Sequence, residues 1–191
     1  MSGAISLYNK AGDRLHSIYI GASPEYGKEK FLARLEKDIF AVKLQYPSAR
    51  YIGIADGAKM NWTFLDAHTD CQILDFYHAT EYLSDASKAI TSLGKGCSEQ
   101  KAWLDIACYC LKHDKDAADD LLKEMMSFES DKLSKDILKK LKASITYFQN
   151  QKHRMDYHFY REHNFPIGSG ATEAACKTLV KQRLCQSGMK W

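Results

Sequence analysis

Residues 51–75 read YIGIADGAKMNWTFLDAHTDCQILD, and the order of elements in this stretch decides the fold. Its two compact apolar runs, residues 51–55 and 71–74, each stop at an aspartate, which is typical of buried strands. We predict a short helix between them, around residues 61–67. A strand–helix–strand order predicts parallel pairing with a right-handed crossover.

The sequence before this stretch predicts a hairpin and a helix. Short β-type runs at residues 4–8 and 14–20 are separated by Asn-Lys-Ala-Gly-Asp, whose turn chemistry favours a hairpin. Ser23 and Pro24 predict the start of a helix, and Pro47 predicts its end. Apolar residues recur through this helix at helical spacing: Phe31, Leu35, Ile39, Val42 and Tyr46.

The sequence after residue 75 is helical in pattern almost throughout. We predict helices over residues 76–93, 99–113, 116–128 and 131–151, with a continuation over 154–161. Residues 163–170, HNFPIGSG, form a loop, and a final helix is predicted over 171–186. The sequence therefore predicts an α/β core with a block of helices inserted between its last strand and its last helix.

The composition is that of a folded domain of ordinary size. Of 191 residues, 45% are hydrophobic and 12% aromatic, enough for one core. No apolar run approaches the roughly 18 residues of a membrane span, and the first residues do not resemble a secretion signal. We therefore expect a cytoplasmic protein without a membrane partner. The six cysteines form no C-x-x-C pair, so we expect buried thiols rather than a zinc site or disulfides.

Charge is distributed unevenly along the chain. The net charge is +3, yet residues 132–191 carry 12 Lys and Arg against 4 Asp and Glu, a net of +8. Residues 1–131 carry 15 against 20, a net of −5. A basic C-terminal third is compatible with a phosphate-rich partner, although lysine-rich helices are more often simply solvated.

Asp56 and Asp75 follow the two predicted parallel strands. In open parallel sheets, functional groups gather beyond the carboxyl ends of the strands, so we expect both carboxylates at the same edge. The alternative for Asp56 is an Asp-Gly turn whose carboxylate binds its own backbone. The alternative for Asp75 is a cap on the following helix, with His78 as an ordinary first-turn residue.

Glu173 follows a Gly-Ser-Gly loop at residues 168–170, which lets the backbone pass close to another element. In the predicted final helix it stands three residues before Cys176 and seven before Val180, so it shares their apolar face. The alternative is a first-turn glutamate stabilised by the helix dipole. That alternative accounts for the position of Glu173 along the helix but not for its face.

Asp56 and Glu173 together are a pair of hard oxygen ligands. Such carboxylates bind Mg²⁺ or Mn²⁺, and sites with two metal ions catalyse in-line phosphoryl displacement. A site of that kind normally draws on three carboxylates, so a third ligand is needed beside this pair.

Three motifs stand in the order in which bacterial insertion-sequence transposases carry them. They are YIGIADGAKMNW at 51–62, ILDFYHATEYL at 73–83 and PIGSGATEAACKTLVKQRLCQSGMKW at 166–191. The chain resembles those transposases, whose catalytic site is of the DDE type. The third motif is the most specific, because its Gly-Ser-Gly, its glutamate, its basic helix and its final Gly-Met-Lys-Trp match together. The likeness extends to the hairpin.

The resemblance implies a ribonuclease-H-like fold with an all-helical insertion between the last strand and the catalytic helix. It implies Asp56 as the second catalytic aspartate and Glu173 as the catalytic glutamate, both of them ligands of Mg²⁺ or Mn²⁺. Asp75 and His78 match the family's D-x-x-H feature and are expected to support the site. The implied DNA-binding residues lie on and beyond the last helix: Lys177, Lys181, Arg183 and Lys190.

The resemblance also divides the chain into three parts. Residues 1–78 match a partial ribonuclease-H-like core, residues 79–163 the helical insertion, and residues 164–191 the loop and helix that complete the core. The family's first aspartate lies on a central strand upstream of the hairpin, and only three residues precede the hairpin here. We therefore expect that strand to be absent, which would leave two sheet edges unpaired.

The leading hypothesis is a fragment of a transposase, one that cleaves double-stranded DNA at transposon ends and joins it to a target with Mg²⁺. Self-association is compatible with this role, and we expect little activity from the chain alone because the first aspartate is missing. One alternative is a non-catalytic DNA-binding or oligomerising module that modulates an intact transposase. Another is a ribonuclease-H-like nuclease that acts on a different nucleic acid.

Overall fold

The computed structural model describes residues 1–22, 27–94 and 96–170. Over these residues the structure is mixed α/β, 60% helical, with two small sheets, so the predicted fold class is confirmed at that level. The ribonuclease-H-like arrangement stays a prediction. Within the described residues, no helix has the length and apolar character needed to cross a bilayer.

The first sheet is the predicted hairpin. β1 (Ser2–Tyr8) and β2 (Arg14–Gly21) pair in antiparallel fashion. The turn between them forms because Asn9 Oδ1 accepts hydrogen bonds from the backbone N–H groups of Ala11 and Asp13, each at 2.9 Å. The Asn9 side chain thus supplies an acceptor for two backbone N–H groups of the turn.

Helix α1 (Gly27–Gln45) follows the hairpin and ends shortly before Pro47, as predicted. Its predicted start at residues 23–24 lies outside the described residues. Phe31 is its one buried side chain, and the Phe31 ring lies close to β1, where a Cβ at Gly3 would be 3.3 Å from Cζ. Most of the predicted apolar stripe is therefore only partly covered.

The second sheet is built by three consecutive elements, β3 (Ile52–Ala55), α2 (Lys59–Asp66) and β4 (Cys71–Leu74). Tyr51 O accepts a hydrogen bond from Cys71 N at 3.3 Å, and Ala55 O accepts one from Asp75 N at 2.9 Å. Both partners advance in the same direction, so the predicted parallel pairing is confirmed.

The helical block consists of α3 (Phe76–Ser92), α4 (Cys97–His113), α5 (Ala117–Ser127), α6 (Lys135–Gln151), a 3-10 turn (Lys152–Arg154) and α7 (Tyr157–Glu162). The four long helices predicted for this block are confirmed, and α4 begins two residues earlier than predicted. The final helix predicted over 171–186 lies outside the described residues. Two other boundaries differ because of capping residues. α6 does not begin at residue 131, because Ser134 caps it by accepting a hydrogen bond from Ile137 N at 3.4 Å. The continuation predicted over 154–161 is broken at Asp156, which caps α7 by accepting from Phe159 N at 3.2 Å.

The core of the helical block is formed by apolar residues at helical spacing. On α3 these are Ala79, Leu83, Ala86 and Ile90. Fully buried partners come from β4, α4, α5 and α6, and they include Ile73, Leu111, Met125, Leu141 and Phe148. Tyr157 is also fully buried, and its hydroxyl donates to Leu74 O at 3.0 Å, which satisfies the one polar atom that this ring buries.

The chain divides into two compact units. The first contains Met1–Gly53 and Trp62–Cys71, and therefore the hairpin and α1. The second contains Ile54–Asn61 and Gln72–Gly168, and therefore the helical block together with the loop that follows β3.

The cysteines correct one expectation. Among the described residues Cys97 is exposed, and Cys71, Cys108 and Cys110 are half-buried free thiols. The prediction of buried thiols is therefore wrong for these four, because a helix or strand turns only part of an apolar stretch toward the core. Burial still raises the pKa of Cys71 and Cys108. The other two cysteines, Cys176 and Cys185, lie outside the described residues.

Candidate functional site

Asp56 lies on the loop that follows β3 and is exposed. Its Oδ1 accepts hydrogen bonds from Ala58 N at 3.1 Å and from Asn61 Nδ2 at 2.9 Å. This is the turn-forming role that the sequence offered as the alternative. Within the described residues, Oδ2 has no hydrogen-bond partner. One oxygen of the carboxylate therefore holds the turn, and the other is available to a ligand.

Two side chains of α6 hold this turn from the other side. The Tyr147 hydroxyl donates to Asp56 O at 2.9 Å, and Gln151 Nε2 donates to Gly57 O at 3.3 Å. Gly57 has φ +94°, and a Cβ there would be 2.8 Å from the Tyr147 oxygen. Only glycine fits both the backbone conformation and the space. The helical block thus fixes the position of the loop that carries Asp56.

Asp75 lies directly after β4 and is only 5% exposed. Its Oδ1 accepts a hydrogen bond from His78 N at 3.1 Å, so it caps α3, as the alternative interpretation had it. Its backbone N–H is bonded to Ala55 O, the residue before Asp56. The backbone of Asp56 and that of Asp75 therefore lie side by side at one edge of the sheet, as expected.

A row of aromatic rings runs from the second aspartate toward the first. His78 is half-buried, with Nδ1 3.4 Å from Glu81 Oε2, and its ring centroid lies 6.4 Å from that of Tyr82. Tyr82 in turn stacks on Tyr147, with ring centroids 3.7 Å apart and planes 11° from parallel. Because Tyr147 holds the Asp56 turn, this row connects the His78 helix with that turn.

No motif in the sequence indicated Tyr82, Tyr147 or Gln151 as part of this site. Tyr147 and Asp56 are 91 residues apart, so no local pattern relates them. The one usable signal is that Tyr147 and Gln151 stand four residues apart on α6 and so share a face.

The carboxylates near Tyr147 create a negative field. Burial raises the pKa of Tyr147 well above its ordinary range, and the neighbouring Tyr82, Asp56, Asp75 and Glu81 raise it further. The phenol therefore stays protonated and can only donate to Asp56 O at neutral pH. A site where three carboxylates act on one hydroxyl also attracts cations.

The loop before Glu173 is held at the start of α3. Phe76 N donates to Ile167 O at 2.9 Å. A Cβ at Gly168 would lie 3.0 Å from Cε2 of Tyr77, so the expected close approach of the Gly-Ser-Gly backbone to another element is confirmed at its first glycine. The loop that leads to the predicted catalytic helix is therefore bonded at Ile167 to the residue after Asp75.

The remaining predicted site residues lie outside the described residues. They are the predicted catalytic and metal-binding Glu173 and the predicted DNA-binding Lys177, Lys181, Arg183 and Lys190. Their roles stay predictions.

Of the two carboxylates predicted to bind magnesium, Asp56 lies among the described residues. Asp56 offers an exposed, hard oxygen donor, which is the ligand type that Mg²⁺ prefers. Across the described ranges, no three His, Cys, Asp or Glu side chains group closely enough to hold a metal ion. Glu173, the other carboxylate of the predicted pair, lies outside these ranges.

Comparisons with models of known protein families, with curated proteins and with solved structures give no significant match. The functional proposal therefore depends on the residues themselves, on their geometry and on the motifs that resemble insertion-sequence transposases.

Proposed function

We propose that this chain is the catalytic region of a DDE-type transposase, which cleaves double-stranded DNA and joins it to a target with Mg²⁺ or Mn²⁺. The proposal is carried by the arrangement of two aspartates at one edge of the second sheet. Asp56 and Asp75 each directly follow one of its two parallel strands, and the backbone N–H of Asp75 is bonded to Ala55 O, in the residue before Asp56. Ligand and catalytic groups gather at such edges.

The course of the chain supports the same proposal. The loop that precedes Glu173 is bonded to the first residue of α3, next to Asp75. Glu173 lies a few residues farther along, at a position that matches the catalytic glutamate of the resembled family. In this proposal Asp56 and Glu173 hold the metal, while Asp75 and His78 support the site.

The residues of the proposed site have different tasks. Magnesium held by carboxylates stabilises charge on the attacking and leaving oxygens of a phosphoryl group. Asp56 Oδ2 supplies a ligand oxygen while Oδ1 keeps the turn closed. Tyr147 positions Asp56 by donating to its carbonyl oxygen. Lys177, Lys181, Arg183 and Lys190 contact DNA phosphates.

Metal binding tests the proposal directly. We expect the chain to bind Mn²⁺, measured by the loss of the free-ion signal in electron paramagnetic resonance. Asp56→Asn and Glu173→Gln should each weaken binding at least tenfold, because each removes an anionic ligand. Asp131→Asn and Glu129→Gln make the same chemical changes elsewhere, and both should bind as the unmodified chain does. Unchanged affinity in either site variant would contradict the metal pair.

Catalysis by the isolated chain is expected to be absent or very weak. The sequence matches two of the three carboxylate positions of the resembled family, and phosphoryl transfer at such sites normally uses all three. Strand transfer or nicking of plasmid DNA by this chain would show that another carboxylate completes the site. Asp75→Asn would then be the variant that identifies it.

The second candidate is a DNA-binding or oligomerising module without catalysis. The basic balance of residues 132–191, a net of +8 from 12 Lys and Arg against 4 Asp and Glu, favours DNA binding in either case. The module requires no metal, so the Mn²⁺ experiment separates the two candidates.

A further inference from the structure

The exposed face of α6 carries a series of three lysines. Lys135, Lys139 and Lys142 are exposed, and none has a carboxylate partner within the described residues. The fourth lysine of the helix, Lys140, is paired with Asp136. Three further lysines of the block are paired with carboxylates: Lys88 with Asp85, Lys123 with Asp120 and Lys152 with Asp119.

These three lysines form a line along the helix. Spacings of four and three residues keep them on one face, about 6 Å and about 4.5 Å apart along the axis. Three cations at such intervals, without internal counter-ions, suit a chain of regularly spaced anions better than a single small anion.

The same face continues into a groove of about 420 Å³. Tyr82 of α3 forms one wall, and the α6 side of the groove is formed by Lys142, Ala143, Thr146, Tyr147 and Asn150. Ala143 leaves the groove open. Thr146 and Asn150 are exposed, and within the described residues their side chains have no hydrogen-bond partner. The groove thus combines aromatic surface with polar groups that can both donate and accept hydrogen bonds.

The charge of the surroundings differs between the parts of the groove. Along α6, Lys142 is the lining residue nearest the other lysines, whereas Tyr147, five residues farther on, lies in the field of Asp56, Asp75 and Glu81. An anionic group is therefore favoured at the Lys142 end, and an uncharged aromatic group is favoured beside the tyrosines.

We propose that the lysine face of α6 and the groove beside Tyr82 and Tyr147 bind a single-stranded segment of nucleic acid. Phosphates contact Lys135, Lys139 and Lys142, and one base enters the groove against the tyrosines, where Asn150 and Thr146 reach its edge. A cationic track that leads to an aromatic platform is how proteins bind single strands without strong sequence preference. Binding here does not require the carboxylates to act in catalysis, so it is a separate property of the chain.

The phosphate contacts are tested with the full chain and a fluorescein-labelled oligothymidylate of about 12 nucleotides. Fluorescence anisotropy at several salt concentrations gives the slope of log K against log salt. Removing two phosphate contacts with Lys139→Gln and Lys142→Gln should make that slope shallower by about 1.4, at about 0.7 per phosphate. Lys101→Gln with Lys115→Gln, two exposed lysines elsewhere on the block, is the matched control and should keep the slope. Equal slopes in both double variants would overturn the proposal.

The base contact is tested in the same assay with Tyr82→Leu, Asn150→Ala and an abasic oligonucleotide. Tyr82→Leu should weaken binding roughly fivefold to a hundredfold, because the stacking of one base on an aromatic ring changes the binding constant by about that factor. Asn150→Ala should weaken it severalfold at unchanged salt slope, and its exposed position means that folding is not at risk. Abasic and thymidylate strands of equal affinity would overturn the assignment of a base to the groove.

The form of the nucleic acid is decided by three further probes: a single-stranded RNA, a single-stranded DNA and a DNA duplex. Both single strands offer phosphates and unpaired bases, and their relative affinity identifies the natural source. A duplex that binds as tightly as the single strands, with the same loss in the Lys139 and Lys142 double variant, would overturn the proposal. Loss of Mn²⁺ binding without loss of oligonucleotide binding, or the reverse, shows which of the two proposed sites has failed.

Discussion

Gly57 concentrates two independent constraints at a single residue of the candidate site. Its φ of +94° is one that residues with a Cβ rarely adopt. Its Cα also lies so close to α6 that a Cβ would be 2.8 Å from the Tyr147 oxygen. Because the same oxygen donates to Asp56 O, a side chain at Gly57 would displace the group that fixes the Asp56 turn.

We expect Gly57→Ala to lower the free energy of unfolding by about 2–4 kcal/mol, measured by urea denaturation. Backbone strain accounts for about 1–3 kcal/mol of this, and loss of the Tyr147 hydrogen bond for about 1 kcal/mol. Gly94→Ala is the matched control, since Gly94 has φ +88° and no atom within 4 Å of its would-be Cβ. If the two variants are equally destabilised, Tyr147 does not constrain the turn.

At the scale of elements, the sequence pattern predicted β3 and β4, because each is a compact apolar run that stops at an aspartate. It also predicted the helices α3 to α6, because their stretch is helical in pattern. The predicted starts of α6 and α7 were wrong because a capping residue outweighed that pattern. Ser134 and Asp156 are typical N-cap residues, so their identity carried a local signal that periodicity alone did not use. The contact of Tyr147 with Asp56 had no such signal, since it is purely tertiary.

Asp75 has a structural role in α3 and a proposed role in the candidate site. Its carboxylate caps α3 at the point where β4 ends, and it is almost completely buried. Capping explains the residue without any chemistry, so its proposed supporting role needs a variant that separates the hydrogen bond from the charge.

We expect Asp75→Ala to cost about 1–2 kcal/mol of stability in urea denaturation, because the N–H of His78 loses its acceptor. Asp75→Asn keeps an acceptor and should cost less than half as much. Ser134→Ala on α6 removes a longer and exposed cap, and should cost less than Asp75→Ala. Equal losses from the two Asp75 variants would mean that the negative charge, and not the cap, is what α3 requires.

At the scale of the whole molecule, the two compact units differ in how much apolar surface they bury. The described part of the first unit has three buried hydrophobic side chains, Ile20, Phe31 and Trp62. The second contains all the other buried hydrophobic side chains of the described residues, including Leu83, Phe148 and Tyr157. Because burial of apolar surface is the main stabilising contribution, local opening should be easier in the first unit.

Hydrogen–deuterium exchange followed by mass spectrometry should show this difference between two helices of similar length. Amides of α1, 19 residues with one buried side chain, should exchange at least tenfold faster than those of α6, 17 residues with four. Helical hydrogen bonds are alike in both, so the contrast isolates tertiary burial. Peptides from α3, which buries seven side chains, serve as a second slow reference. Exchange from α1 as slow as from α6 would mean that α1 is covered by surfaces beyond the described residues.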